Sequence, residues 1–522
     1  MTPRKGKQAP KPSKAEKSSK AAKPAKLSKA AKLSKAAKLS KTLEGTEGSR
    51  TPKRSEGGQA PGAAAQRLYD MPYSAVAPRL VNPGLGLHNL VARAGHNAAY
   101  TIDVTLLDAP DHRLIRSGVL LAHRVLDGRG EWYLTAPDWQ PLLPQDRIEL
   151  MGHSDLPEEL ADLVRPFRRR APVGPVAALS CDRREFALRD DQGATRALLR
   201  DDKVTVRRGG LTTARYREVM ITPVGEGLDE EQTGWLDRAL TGVGSTFVPR
   251  FPQLVSRLGA PATGPSDLPG PAGPDAGSSF KRLLGQLVGQ RLRQVVEADL
   301  AVRGGDAAAA GRLVEQARGL ATELDGLAVG IEADWLGDLA DELGWLVGED
   351  GERPERLASR LRSERYLALL DLLVSASRAP RLGERSTVPA AVELERLLST
   401  ALDQLSAAVE RAASLDSGPA WDQVARSLTR AEAVAALAEP VLPAAADVRR
   451  RLRKPRLRLD ALVRPPLDEP AAAAGSGLEP PAAFAAGRAW EQQVGQARRS
   501  RQGFLDAWRR SAGKLGARAG PG

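Results

Sequence analysis

The sequence predicts an α+β multidomain chain on three observations. A lysine recurs at every third position from 11 to 41, apolar alternation of period two runs between 68 and about 225, and helical periodicity sets in at 280 behind a Pro/Gly-rich stretch. A chain of 522 residues is long enough for two or three domains, each with its own core. Aromatic residues are only 4% of it, so those cores are built mainly from Leu, Val and Ala.

The first element is an arm, residues 1–65. Lys11, Lys14, Lys17, Lys20, Lys23, Lys26, Lys29, Lys32, Lys35, Lys38 and Lys41 form an unbroken series, and residues 1–54 hold 14 Lys and 3 Arg against Glu16, Glu44 and Glu47. That segment is +14 while the whole chain is +13, so the body after it is nearly neutral. Three residues turn an α-helix by about 300°, so the lysines spiral round its surface and leave no apolar face for a membrane. In an extended polyproline-like chain they line up instead, and self-repulsion keeps the segment open. The arm is therefore expected to be disordered and to bind polyanions in a salt-sensitive, sequence-blind way.

Ser55 to Ala65 reads as a Gly/Ala linker, with structure beginning near Leu68. From 68 to 227 the signal is mostly β. Alternation marks Tyr100–Leu107, Gly118–Arg124, Glu131–Leu134, Arg147–Met151 and Arg217–Ile221, separated by turns such as Asp127-Gly-Arg-Gly130, with one helix at Pro157–Arg168. Many short strands with one helix predict an antiparallel sheet or barrel. The Pro/Gly density of 260–279 marks a boundary.

Residues 280–515 read as helices: Phe280–Leu300, Ala307–Ile331, Trp335–Val347, Arg353–Ala376, Val388–Ala413, Ala420–Ala438, Ala444–Val463 and Ala489–Lys514. Apolar residues recur at i, i+3, i+4 and i+7, as in Leu283, Leu284, Leu287, Val288 and Leu292, which predicts antiparallel bundles. The single cysteine, Cys181, excludes an intramolecular disulfide and a Cys-rich zinc site, and reads as a packed strand residue. No apolar stretch reaches membrane-span length and the N-terminus has no apolar signal core, so a cytoplasmic protein without membrane association is expected. No P-loop pattern occurs.

The segment TIDVTLLDAPDHRLIRSGVLLAHRV, 101–125, with LPEELADLVRPFRRRAPVGPVAAL at 156–179, DDKVTV at 201–206 and YREVMITPVGEG at 216–227, resembles the CYTH family. That resemblance implies an antiparallel β-tunnel in which inward cations hold a triphosphate and glutamates hold a divalent metal. The family's opening E-x-E-x-K strand is matched to Ala75, Ala77 and Arg79, its R-x-R pair to Ala122 and Arg124, its next-strand lysine to Thr135, and its late E-x-E-x-E strand to Glu218, Met220 and Thr222. With most carboxylates replaced, no metal, no cofactor and no catalytic residue is expected. Arg79 and Arg124 remain as candidate phosphate contacts, and Arg147, Arg183 and Arg184 could hold an anion weakly.

SERYLALLDLLVSASRAPRLG at 363–383, WLGDLADELGWLVG at 335–348 and AVAALAEPVL at 433–442 resemble the CHAD family, a helical fold whose basic surface binds inorganic polyphosphate. Its two His/Arg-bearing helices match 311–324 and 422–437, where the histidine positions are Gly311 and Asp422 and only Arg318, Arg426 and Arg430 keep charge. Residues 280–522 are close to balanced, 35 basic against 33 acidic. One run stays cationic: Arg449, Arg450, Arg451, Arg453, Lys454, Arg456 and Arg458, seven cations in ten residues. The expectation is a non-enzymatic polyanion-binding protein with inorganic polyphosphate or nucleic acid as partner, at a polyphosphate granule or the nucleoid. A CYTH-type triphosphatase and a histone-like protein acting through the arm alone are the alternatives.

Overall fold

A computed structural model describes residues 66–515 apart from 94–98, 127, 144–145, 151–154, 271–272, 274–276, 307, 350–353 and 463–478. The eleven arm lysines lie outside the described residues. All described elements belong to one compact unit, Pro52–Gly522.

Among the described residues ten strands come first: β1 Arg67–Met71, β2 Asn89–Ala92, β3 Ala99–Asp108, β4 Leu120–Leu126, β5 Arg129–Thr135, β6 Asp146–Leu150, β7 Gly174–Arg189, β8 Thr195–Arg208, β9 Leu211–Pro223 and β10 Thr246–Val248. Among them lie α1 Arg113–Arg116, α2 Glu158–Arg168 and α3 Glu230–Thr241, followed by α4 Leu254–Leu258. The strands form one antiparallel sheet in the order β10-β1-β9-β8-β7-β3-β4-β5-β6, with β2 on β7. The predicted strands lie within β3, β4, β5, β6 and β9 to within a few residues.

Each strand alternates between two faces. On the outer face, Tyr69, Met71, Val219 and Ile221 bury themselves against Leu236 and Leu240 of α3. Further along the same face, Leu121, Trp132 and Leu134 meet Leu160, Val164 and Phe167 of α2, which fall at the i, i+4, i+7 spacing of one helix stripe. Helix α3 was not foreseen, although Asp229 and Gln232 form a capping box at its start, a signal readable in D-E-E-Q.

The helical region comprises α5 Phe280–Arg303, α6 Ala309–Gly326, α7 Ala333–Val347, α8 Pro354–Arg362, α9 Glu364–Arg378, α10 Ala390–Leu415, α11 Gly418–Ala438, α12 Pro443–Asp460 and α13 Pro480–Leu515. The expected single helix over 353–376 is two, because the Ser363 side chain accepts from the Tyr366 amide and starts a new helix. Phe280, Leu284, Val288 and Leu292 of α5 belong to the same buried cluster as Trp132 and Phe167, so the sheet and the helices share a core. The segment 260–279 takes part in it: Leu268 is buried in that cluster, and the Asp267 carboxylate beside it receives Arg169, Arg116 and Arg378.

Helices α10 to α13 close a second bundle. Leu405, Val424, Leu428, Leu452, Phe504 and Trp508 fill its centre, with Trp421 edge-on to Phe504 at 5.5 Å.

Candidate functional site

The inner face of the sheet is polar at one level. Cross-strand pairing aligns Asp70 of β1 with Glu218 of β9, Glu218 with Asp202 of β8, Asp202 with Arg183 of β7, and Arg183 with Tyr100 of β3. Three carboxylates on adjacent strands thus stand in a row beside a guanidinium, and each is already engaged. Arg183 donates to both Asp202 oxygens at 2.7 and 2.6 Å, and Arg200 approaches Asp202 at 3.1 Å. Arg257 of α4 reaches Asp70 at 3.1 Å and Glu218 at 3.5 Å while lying over the Tyr216 ring. Burial pushes the Glu218 carboxyl up to about 7, with the Arg257 charge opposing that rise and Asp202 and Asp70 adding to it. Among the described residues, no group of three or more His, Cys, Asp or Glu side chains is arranged to hold a metal ion.

The second polar feature lies between helices. A groove of about 950 Å³ runs between α6, α11 and α12. Arg318 lines it from α6, and Arg449, Arg450, Arg453 and Arg456 line it from α12. The last four occupy one helical flank because their spacing follows the 3.6-residue turn. Three acids share the lining: Glu315, Glu323 and Glu432. Glu323 is held by Arg291 from α5, and Glu432 stands 3.7 Å from Arg456 with its carboxyl raised by burial. Arg456 also donates to the Thr429 hydroxyl at 2.9 Å. Arg449 and Arg450 pair with Glu439 and Asp447 at 2.7 and 2.6 Å on the exposed side. Such exposed pairs are weak and leave both guanidinium groups available to a stronger anion.

The structure brings Arg318 together with four of the seven cations of the run and leaves other candidates elsewhere. Arg79 is the clearest correction. The strand expected at Ala75–Arg79 is β1 at Arg67–Met71, and 72–81 is irregular chain whose Ala75 carbonyl accepts from Arg217. Short β1 ends at Pro72, which cannot donate to a ladder, and its inner-face carboxylate is Asp70. Both Asp70 and Asp202 were missed. Alternation in R-L-Y-D-M, with Tyr69 and Met71 buried outward, was the available signal for the first.

Arg124 does face inward in register with Val104, but it is 3% exposed, paired with Glu131 and stacked on Tyr133 at 4.5 Å. Ala122 and Thr135 face the same side, as matched. Arg147 pairs with Glu149 and Glu159, and Arg184 with Asp182. Arg426 binds Gln423 and Arg430 binds Asp325 at 2.6 Å; neither lines the groove. Arg451, Lys454 and Arg458 also lie off the groove lining, and Arg451 donates to the Lys514 carbonyl. Cys181 is buried within β7, and burial raises its thiol to about 12, so it stays a protonated, inert side chain. No described helix is long and apolar enough to cross a membrane.

No family model matches the chain. Two uncharacterized proteins of Mycobacterium tuberculosis strains, MT2285 and Rv2226, are each 29% identical to it over 146 residues, which is 28% of this chain and 28% of the relative. The match therefore spans little more than a quarter of those relatives' length. Among solved structures, PptA from Streptomyces chartreusis aligns with 44% of this chain and 100% of its own at 19% identity and a TM-score of 0.31. HpAC1 from Hippeastrum, for which a dominant triphosphatase activity is described, aligns with 38% of this chain and 98% of its own at 13% identity and a TM-score of 0.20. The PH1819 protein of Pyrococcus horikoshii covers 36% of this chain and 95% of its own at 11% identity and a TM-score of 0.18.

Proposed function

We propose that the chain is a non-enzymatic polyanion-binding protein whose helical half takes inorganic polyphosphate in the α6–α11–α12 groove. One observation carries this reading: five arginines from two helices meet on one open groove against three acids, two of which, Glu323 and Glu432, already face Arg291 and Arg456. A guanidinium offers paired donors to phosphate oxygens, and charge-assisted bonds of this kind contribute about 1.5–3 kcal/mol each. The lysine arm supplies a second, linked site for the same chain, and linkage raises avidity through effective concentration.

The test replaces Arg318, Arg449, Arg453 and Arg456 together by Gln in the full chain. Affinity for tripolyphosphate, measured by calorimetry, is expected to fall at least tenfold with the melting temperature little changed. Equal affinity in both proteins would remove the groove from the mechanism.

The Asp70–Glu218–Asp202 row favours one second reading, a triphosphatase. A divalent cation needs carboxylate oxygens of its own, and here Arg183 and Arg257 occupy them. Triphosphate is therefore expected to survive incubation with Mg²⁺ or Mn²⁺ at background rates. Release of phosphate at ~1 per second or faster, the range of ordinary enzymes, would make the inner face the site and the groove secondary.

A further inference from the structure

The near neutrality of the helical half conceals a dipolar bundle. Helices α12 and α13 together carry 14 basic and 4 acidic residues, whereas α10 and α11 carry 4 basic and 6 acidic. The charge is also placed. On α13 the core-facing residues are Ala497, Phe504, Ala507, Trp508 and Ser511, and the far side carries Arg488, Arg499 and Arg510. These three stand eleven residues apart, about three turns, so they drift by only about 20° and lie about 16 Å from one another along the axis, about 33 Å overall. On α12 the core-facing stripe is Ala445, Leu452 and Leu459, and Lys454 and Arg458 lie on the opposite side. All five cations are exposed, and none has an ion pair or side-chain hydrogen bond among the described residues.

We infer that the solvent face of the α12–α13 hairpin is a docking surface for duplex nucleic acid, distinct from the groove. Four arguments select that partner. The surface is made of outward stripes on packed helices, so it suits a ligand that lies along it rather than one enclosed by it. Its cations span about 33 Å, close to one turn of B-DNA at about 34 Å. A duplex is stiff over about 50 nm, so bridging charges about 16 Å apart costs it little ordering, whereas a flexible chain loses entropy at every bridge. A lipid surface is a poor match, because a helix lying in a membrane interface needs a free apolar face and that of α13 over 497–511 is spent on the bundle core. Contact is to phosphates, through Arg and Lys side chains, and is blind to sequence.

The experiment compares the full chain with the same chain carrying Lys454→Gln, Arg458→Gln, Arg488→Gln, Arg499→Gln and Arg510→Gln, so that the lysine arm contributes equally to both. The probe is a duplex of about 20 bp, roughly 68 Å long at 3.4 Å per base pair. Because each phosphate contact contributes about 0.9 to the slope of log affinity against log salt, the slope is expected to fall by about 2 to 4.5. Duplex affinity near 0.1 M salt is expected to fall at least tenfold, with circular dichroism and melting temperature unchanged. An unchanged duplex slope would overturn the inference. An equal loss for long inorganic polyphosphate would also overturn it, by assigning the surface to flexible chains.

Discussion

Replacing Asp267 by alanine is expected to lower the unfolding free energy by about 3–5 kcal/mol, the cost of removing one partner from a buried ion pair. The Asp267 side chain is 1% exposed and receives three guanidinium groups: Arg169 from the end of α2, Arg378 from the end of α9 and, at 3.5 Å, Arg116 from α1. Arg169 is itself 3% exposed, so without the carboxylate its charge stays buried, with Asp371 at 2.7 Å as its remaining ion-pair partner among the described residues. Arg113 and Arg170 already lean on that same Asp371 at 3.7 and 2.9 Å, which leaves it little capacity to take over. Asp267→Asn keeps the shape and some hydrogen bonds but not the charge, and should fall between wild type and alanine. Chemical denaturation with a two-state check reads the outcome, and a loss below about 1 kcal/mol, the ordinary range of exposed pairs, would show that the network is solvated.

That cluster explains why a Pro/Gly-rich segment misleads. Composition marks 260–279 as a boundary, and nothing in S-D-L-P announces that one aspartate will find three arginines from elements up to 151 residues away. Local chemistry, by contrast, was readable where it was decisive. Inner and outer residues of β3, β4, β5 and β9 follow from alternation, and the helical region follows from its apolar spacing. The split at Ser363 and the helix at Glu230 were also announced, by an N-cap serine and a capping box; the first is masked by apolar spacing that continues across 353–376, and the second falls between the strand region ending at 227 and the boundary at 260.

The candidate site divides the same way. Seven cations in Arg449–Arg458 are visible in the sequence, but a helix sends them in all directions. Which four face Arg318 depends on how α12 sits against α6 and α11, a tertiary fact. The inner-face row is likewise a product of register. Asp70, Glu218, Asp202 and Arg183 are scattered over more than a hundred residues and meet only because four strands pair without slippage at that level. A one-residue shift in β1 would exchange Asp70 for Tyr69 or Met71 and dissolve the row.

The row also makes stability depend on pH in a direction opposite to that of ordinary salt-bridged carboxylates. Glu218 has a carboxyl raised from 4.5 to about 7, chiefly by burial. Between those two pH values the folded protein holds a proton that the unfolded chain has released. The contribution is therefore complete below about 4.5 and is lost as pH rises through about 7, with stability falling by up to about 1.4 kcal/mol per pH unit, or about 3 kcal/mol across the interval. Asp108 and Asp299, each raised to about 6 by burial, act in the same sense. Glu218→Gln replaces the carboxyl with a neutral group of the same shape, and Arg257 keeps Asp70 at 3.1 Å as its partner. The variant should match wild type at pH 5, exceed it by up to about 3 kcal/mol at pH 8, and lose part of the downward slope between them while the shares of Asp108 and Asp299 persist. Urea titrations of both proteins at half-unit pH intervals measure this. Parallel stability curves would show that Glu218 is ionised throughout, held so by Arg257, and that the row is a conventional ion-pair network.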